Sequence, residues 1–323
     1  MSNLRKLWKS RLYGALIPAV PVPFKKDASV DWESQNKYIH YLKIQPIEGV
    51  AVWAHTGRGL FLDRKTRNSI LREWREQLPK SRFIVAGIGV RPYETLSDRE
   101  YLKNTEKMLQ DAIDGGADLI MPYAPTRYRN IKDKENKILE YYRLIDHSRL
   151  PIVLFYLYEE AGGIEFYKDL LEKLLNLENV VGVKLATLDS VITFQDITDL
   201  IRKRYPDITV ISGEDRFLPY SFQIGADAAL IGMAAACTGM YKEMIRAWIN
   251  NRYKKFYSLA QRVDEFGSAT FREPMEGYIQ RILYVLAKLG IISPEAVFDP
   301  YGPQLSHEDF ERVDIMLKKL NLL

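Results

Sequence analysis

The sequence predicts an α/β chain folded as a (β/α)8 TIM barrel with a C-terminal helical extension. Three observations carry that expectation. Eight short apolar, β-branched runs recur along the 323 residues. The intervals between them read as amphipathic helices, and most are about thirty residues, the length of a strand, a crossover helix and two loops. After the eighth run the pattern is helical only. The expected organisation is an N-terminal tail over 1–12, a barrel over 13–240 and a helical cap over 241–323.

The strands are expected at 15–18, 49–53, 83–86, 118–121, 152–156, 180–184, 208–211 and 229–232. Runs this apolar suit parallel strands covered on both faces. Residues 98–115 place Tyr101, Leu102, Thr105, Met108, Leu109, Ala112 and Ile113 on one helical face. Residues 165–177 do the same with Phe166, Leu170, Leu171, Leu174 and Leu175. Gly115-Gly116 and Gly225 stand where helices close before the next strand. Eight such units make a barrel. An open doubly wound sheet is the alternative, but no Gly-x-Gly-x-x-Gly follows the first strand. Beyond 241, Ile245, Trp248, Ile249 and Tyr253 give one apolar stripe, and Tyr278, Ile282, Leu283, Val285 and Leu286 another. The basic stretch from Arg5 to Arg11 lacks the apolar centre of a signal peptide and reads as a solvated tail or short surface helix.

Composition narrows the function. With 47% hydrophobic and 27% charged residues the chain is ordinary globular material. Its 46 basic and 42 acidic side chains are mixed along the chain and leave +4, which gives no electrostatic case for nucleic acid. No apolar run approaches the roughly 20 residues that span a bilayer, so no membrane partner is expected. The single cysteine, Cys237, forbids an intrachain disulfide and fits a reducing cytoplasm. His40, His55, His147 and His307 are scattered, so no metal site is expected.

Lys184 is the residue that points to chemistry. It interrupts the run Val180-Val181-Gly182-Val183-Lys184-Leu185, and lysine is rarely buried unless it is paired or needed. Desolvation disfavours the ammonium form, and a neutral lysine amine attacks carbonyls. The plainer alternative is a strand-end lysine snorkelling to water. Barrel chemistry lies at the C-terminal strand ends. That rule selects His55-Thr56-Gly57-Arg58 after the second strand, Tyr123 after the fourth, Tyr156 at the fifth and Lys184 at the sixth. It also selects Gly213-Glu214-Asp215 after the seventh. Tyr156 and Lys184 are on adjacent strands, so they are expected to face one space, where a hydroxyl would shuttle protons for the amine. The His55-Thr56-Gly57 turn suits a carboxylate, and Arg58 could pair a second acidic group.

These residues resemble the dihydrodipicolinate synthase and N-acetylneuraminate lyase family of class I aldolases, over roughly 14–300. Gly14-Ala15-Leu16-Ile17-Pro18 through Pro23-Phe24 looks like the family's first strand and its proline-phenylalanine pair. Ala54-His55-Thr56-Gly57-Arg58 looks like its Gly-Thr/Ser-Thr-Gly-Glu turn, which holds a keto acid carboxylate. Tyr156 stands 28 positions before Lys184, the family's spacing between catalytic tyrosine and Schiff-base lysine. Val181-Gly182-Val183-Lys184-Leu185-Ala186-Thr187 and Ile211-Ser212-Gly213-Glu214-Asp215 resemble its lysine strand and Ser-Gly-Asp-Asp segment.

The resemblance implies a cofactor-independent lyase that forms a Schiff base with pyruvate or another 2-keto acid, working as an aldolase or a sugar-acid dehydratase. It implies a homo-oligomer, a dimer or a tetramer. Lys184 and Tyr156 take the catalytic roles, and Thr56, Gly57, Gly213 and Ile231 line the keto acid site. Departures shift other roles. His55 replaces a relay hydroxyl, and an imidazole can exchange protons near neutral pH. The tyrosine pair of strand four is reduced to Tyr123-Ala124, with Tyr128 the candidate substitute in the same loop. Ala161 stands where the synthases carry a substrate-binding arginine, and Asp215-Arg216 where the sugar lyases carry two acids. Arg58, Tyr128 and Asp215 are the candidates for recognising a second substrate. A metal-dependent barrel hydrolase is disfavoured by the scattered histidines. A keto-acid-binding protein with little turnover is the remaining alternative.

Overall fold

In the computed structural model, which describes residues 2–91, 95–188 and 190–323, eight parallel strands form one sheet. They are β1 (Leu16–Pro18), β2 (Gly49–Val52), β3 (Phe83–Ile88), β4 (Leu119–Pro122), β5 (Ile152–Leu157), β6 (Val180–Ala186), β7 (Thr209–Ser212) and β8 (Ala228–Ile231). Each overlaps an expected run, as apolar β-branched segments covered on both faces should. β8 pairs with β1, and the remaining pairs run in sequence order down to β2. β1 and β2 meet through one parallel bridge between Ala19 and Ala51, where the Val20 N–H donates to the Ala51 carbonyl over 3.0 Å. The sheet is thereby a (β/α)8 barrel, with a helix following every strand.

Alternation along the strands sorts the core into two layers. Val85, Leu119, Met121, Val153, Phe155 and Leu230 belong to the barrel interior. Ile84, Ile120, Leu154, Tyr156, Leu185 and Ile231 pack between barrel and helices.

The expected N-terminal tail is a helix, Ser2–Leu12, that closes the bottom of the barrel. Trp8 and Leu12 are buried in the interior cluster, and the Trp8 and Phe83 rings meet edge-on at 5.5 Å. Arg5 donates to the Leu175 and Leu177 carbonyls, and Lys9 pairs with Asp227. The amphipathic pattern thus buries the apolar face while the basic residues find carbonyls and a carboxylate.

The boundary expected at 240/241 falls inside the helix Thr238–Ile249, which completes the eighth barrel unit and packs on β1. The stripe reaching Tyr253 is broken after Ile249, where Asn251 turns left-handed at φ 56°. Three further helices follow, Tyr253–Thr270, Tyr278–Lys288 and His307–Lys319. Buried Arg281 ties them together: it donates to the Thr270 and Arg272 carbonyls and pairs with Asp309 at 2.8 Å. This anchor holds residues 271–277 over the barrel mouth. No described helix is long and apolar enough to cross a membrane.

Candidate active site

Lys184 lies near the C-terminal end of β6, only 8% exposed, with Phe155 opposite it on β5. Its Nζ stands 4.0 Å from the centre of the Phe155 ring. Burial lowers the lysine pKa to about 8, while the charges of Asp215 and Glu214 pull it the other way. Gly213, at the end of β7, leaves room for the chain of this lysine: a Cβ there would come within 2.7 Å of Lys184 Cε.

The Tyr156 expectation is corrected here. Ile152 pairs with Val180, but Val153 pairs with Gly182, so β6 carries one extra residue at the start of the pairing. That irregularity moves the position facing Lys184 from Tyr156 to Phe155, and Tyr156 pairs with Leu185 instead. Tyr156 therefore packs in the barrel–helix layer, its ring edge-on to Phe166 at 5.8 Å.

After β2 the backbone bends sharply. Trp53 and Arg58 both take left-handed conformations, at φ 56° and 52°, around the short turn His55–Gly57. Such φ values are costly for non-glycine residues and cluster at functional sites. The turn is pinned from outside: the Trp53 carbonyl accepts from the Tyr123 hydroxyl, and the Trp53 indole N–H donates to the Arg67 carbonyl, both over 2.8 Å. The Thr56 and Tyr278 hydroxyls share a hydrogen bond of 2.8 Å. His55 Nε2 meets Glu276 Oε1 at 2.7 Å, and the second oxygen of Glu276 accepts from Arg58 Nη1 at 2.7 Å. Behind them the buried Arg58 guanidinium grips Asp299 through Nε and Nη2. Burial would raise the Glu276 carboxyl, but the His55 hydrogen bond and the neighbouring positive charges outweigh it and hold it at about 2.

Two adjoining chambers result. An inner one of about 80 Å³ is lined by Lys184, Thr56, Gly213, Glu214, Asp215 and Gly232, with Tyr158 and Tyr278 at its walls. An outer one of about 500 Å³ opens among Arg58, Phe61, Tyr123, Thr126, Arg129 and Tyr301. His55, Phe155, Leu157, Ala161 and Glu276 border both, so the two adjoin. Among the described residues no three His, Cys, Asp or Glu side chains gather as metal ligands would.

The structure brings Lys184, His55, Thr56, Gly213 and Asp215 to the inner chamber and Tyr123 and Arg58 to the outer one. Arg58 is not a free cation there, because two carboxylates already occupy its fork. Asp215 lies beside Lys184, accepting from the Met233 N–H at 2.9 Å, and borders the inner chamber instead of the outer one. Burial pushes its carboxyl up to about 6.

Three further expectations are corrected. Tyr128 is buried against Tyr101, rings 5.9 Å apart, and lines neither chamber; Thr126 and Arg129 of the same loop do. Ile231 faces the barrel–helix layer, and the next residue, Gly232, lines the inner chamber. Gly57 is buried, where a Cβ would come within 2.8 Å of the Val20 carbonyl, and shapes the turn without lining either space.

Sequence reasoning missed Glu276, Tyr278 and Asp299, which come from the C-terminal extension, and it missed Phe155 and Tyr158. Glu214 stands beside Asp215 just past a strand end, and two adjacent acids in such a place are themselves a signal.

The chain matches the model of the Dihydrodipicolinate synthetase family over residues 12–320. A 4-hydroxy-tetrahydrodipicolinate synthase of Clostridium acetobutylicum is 29% identical over 301 residues, covering 91% of this chain and 95% of its own. Dihydrodipicolinate synthase from Oceanobacillus iheyensis superposes with a TM-score of 0.83 at 19% identity, over 99% of this chain and 100% of its own. YagE, a prophage protein of Escherichia coli K12 solved in complex with pyruvate, gives 0.80 at 20% identity over 96% and 99%. At such identities the solved structures speak for the fold. The family model speaks for more, and by its match across nearly the whole length this chain belongs to the dihydrodipicolinate synthetase family.

Proposed function

We propose that this protein is a lyase that holds a 2-keto acid, pyruvate or a relative, as an imine on Lys184 and makes or breaks a bond next to it. The observation that carries the reading is the lysine itself: buried at a strand end, facing a chamber, with a pKa lowered to about 8. Roughly a tenth of the amine is then neutral and nucleophilic at pH 7, far more than for an ordinary lysine. Family membership and the pyruvate complex of YagE support the same substrate class.

In this reading the keto carbon meets Lys184 Nζ in the inner chamber, with the carboxylate against the His55–Gly57 turn and the Thr56 hydroxyl. The iminium withdraws electrons from the adjacent carbon, which eases aldol cleavage, condensation or loss of water. The second substrate or leaving fragment occupies the outer chamber, whose walls combine Phe61, Tyr123 and Tyr301 with polar Thr126 and Arg129. His55 stands at the junction and is the group suited to move a proton there. Glu276 orients its ring as a carboxylate orients the imidazole of a hydrolytic triad.

A second reading, binding without turnover, draws on one observation: the residue facing Lys184 is Phe155, which carries no proton to shuttle. Borohydride trapping with a panel of 2-keto acids, followed by product analysis, tests the first reading and separates it from the second.

A further inference from the structure

We propose that the Glu214 carboxyl is the proton-transfer group that serves Lys184, in place of a tyrosine hydroxyl. This rests on the imine reading above and goes beyond it in naming the acid.

Phe155 fills the position opposite the lysine, and Tyr156 faces the other layer. Among the other groups at the inner chamber, the Tyr278 hydroxyl is shared with Thr56 and Glu276 is held by His55 and Arg58. Asp215 has one oxygen on the Met233 N–H, and His55 is engaged by Glu276. Glu214 is different. It follows Gly213 at the end of β7, is 1% exposed and borders the chamber with Lys184. Its Oε1 accepts from both the backbone N–H and the hydroxyl of Thr187, which fixes the side chain. Its Oε2 is buried with no hydrogen-bond partner among the described residues. A buried ionised carboxylate with an empty oxygen is expensive, so the group keeps its proton. Burial pushes it up to about 8, against the Thr187 hydrogen bonds and the Lys184 charge. The chamber thus holds an amine that can be neutral beside a carboxylic acid that can donate. Lys184, Asp215, His55, Tyr158, Glu276 and Tyr278 are the titratable groups that face it.

The chemistry closes. The neutral Lys184 amine adds to the keto carbon; a C–N bond forms and the carbonyl π pair moves to oxygen. The proton shed by nitrogen ends on that oxygen, giving a neutral carbinolamine. Glu214 gives its proton to the carbinolamine hydroxyl, the C–O bond breaks, water leaves, and the iminium forms beside a carboxylate. That carboxylate then takes a proton from the carbon next to the iminium. The C–H pair becomes the enamine double bond, and Glu214 is again the acid.

The test is the initial rate of reductive trapping of pyruvate, by mass, in the wild type and in Glu214→Gln, Glu214→Asp and Tyr158→Phe, across about pH 6 to 10. Lys184 and Glu214 both lie at about 8. The wild-type rate should therefore rise as the lysine loses its proton and fall again as Glu214 does. Glu214→Gln should lose about 100-fold at neutral pH, the low end for general acid–base catalysis, and lose the falling limb as well. Glu214→Asp should recover part of the rate with the falling limb moved to lower pH, and Tyr158→Phe, a change at the chamber wall, should keep the falling limb whatever it does to the rate. A glutamine variant that traps at the wild-type rate with the falling limb intact overturns the proposal. So does a falling limb that disappears in Tyr158→Phe and stays in Glu214→Gln. If the glutamine variant does not fold, the aspartate limb decides, and an unmoved limb overturns the idea. No adduct on the wild type overturns the imine reading and this proposal with it.

Discussion

Phe155 lies directly across from Lys184 in the β5–β6 pairing, with the lysine nitrogen 4.0 Å above its ring centre. The two opposing effects on the amine meet at this contact. Burial favours the neutral form, whereas the electron-rich ring face favours the ammonium by about 0.5–2 kcal/mol.

Phe155→Leu removes the ring and keeps apolar bulk. The ammonium loses a stabilising partner, so the lysine pKa falls further, by up to about one unit for about 1.4 kcal/mol. The rising limb of the trapping profile should move to lower pH by that amount. A limb that moves to higher pH contradicts the contact's assigned role.

Tyr156→Phe is expected to leave trapping rate and product formation unchanged, since the ring packs in the barrel–helix layer against Phe166 and lines neither chamber. Its effect should be confined to stability, at about 1 kcal/mol, the size of an ordinary point substitution. A large drop in trapping with wild-type stability would return Tyr156 to the site.

Asp299→Ala strands the Arg58 guanidinium, whose side chain is 3% exposed against 1% for Asp299. Removing one partner of a buried pair costs about 3–5 kcal/mol, and Glu276 offsets a part of it. Urea unfolding should show a loss of about 2–4 kcal/mol. A change below about 0.5 kcal/mol, the size of an ordinary surface substitution, would mean that Glu276 alone satisfies the arginine.

Glu276 carries a pH signature. Its folded pKa, about 2, lies below the ordinary 4.5, so the ionised form stabilises the fold above about 4.5 and that contribution fades as pH falls toward 2. Wild type should be more thermostable than Glu276→Gln at neutral pH, with the gap closing across that acid window. A gap that stays constant down to the lowest pH at which the protein folds would exclude the carboxylate as its source.

The fold was legible because parallel barrel strands are buried on both faces and leave unbroken apolar runs. Helix 98–115, for instance, was expected from its stripe and closing glycines and is observed as Asp98–Asp114. Lys184 was legible for the converse reason, as a charge inside such a run. Facing was not. One extra residue at the start of the β5–β6 pairing exchanged Tyr156 for Phe155, and the same one-residue phase separates Ile231 from Gly232. Spacing along a chain does not count a bulge, yet a bulge turns every side chain after it to the other face. Glu276 and Asp299 were invisible for another reason: they reach the site only because Arg281 anchors the extension over the barrel mouth. Nothing local marks a glutamate in the short helical turn Met275–Gly277 as the partner of a histidine more than 200 positions away.

The most direct measurement is peptide mapping after incubation with pyruvate and borohydride, in the wild type and in Lys184→Ala. The account predicts one reduced pyruvyl adduct, on the peptide carrying Lys184, and its absence from the variant. No adduct across a panel of 2-keto acids, or an adduct that persists on another lysine in Lys184→Ala, would contradict it.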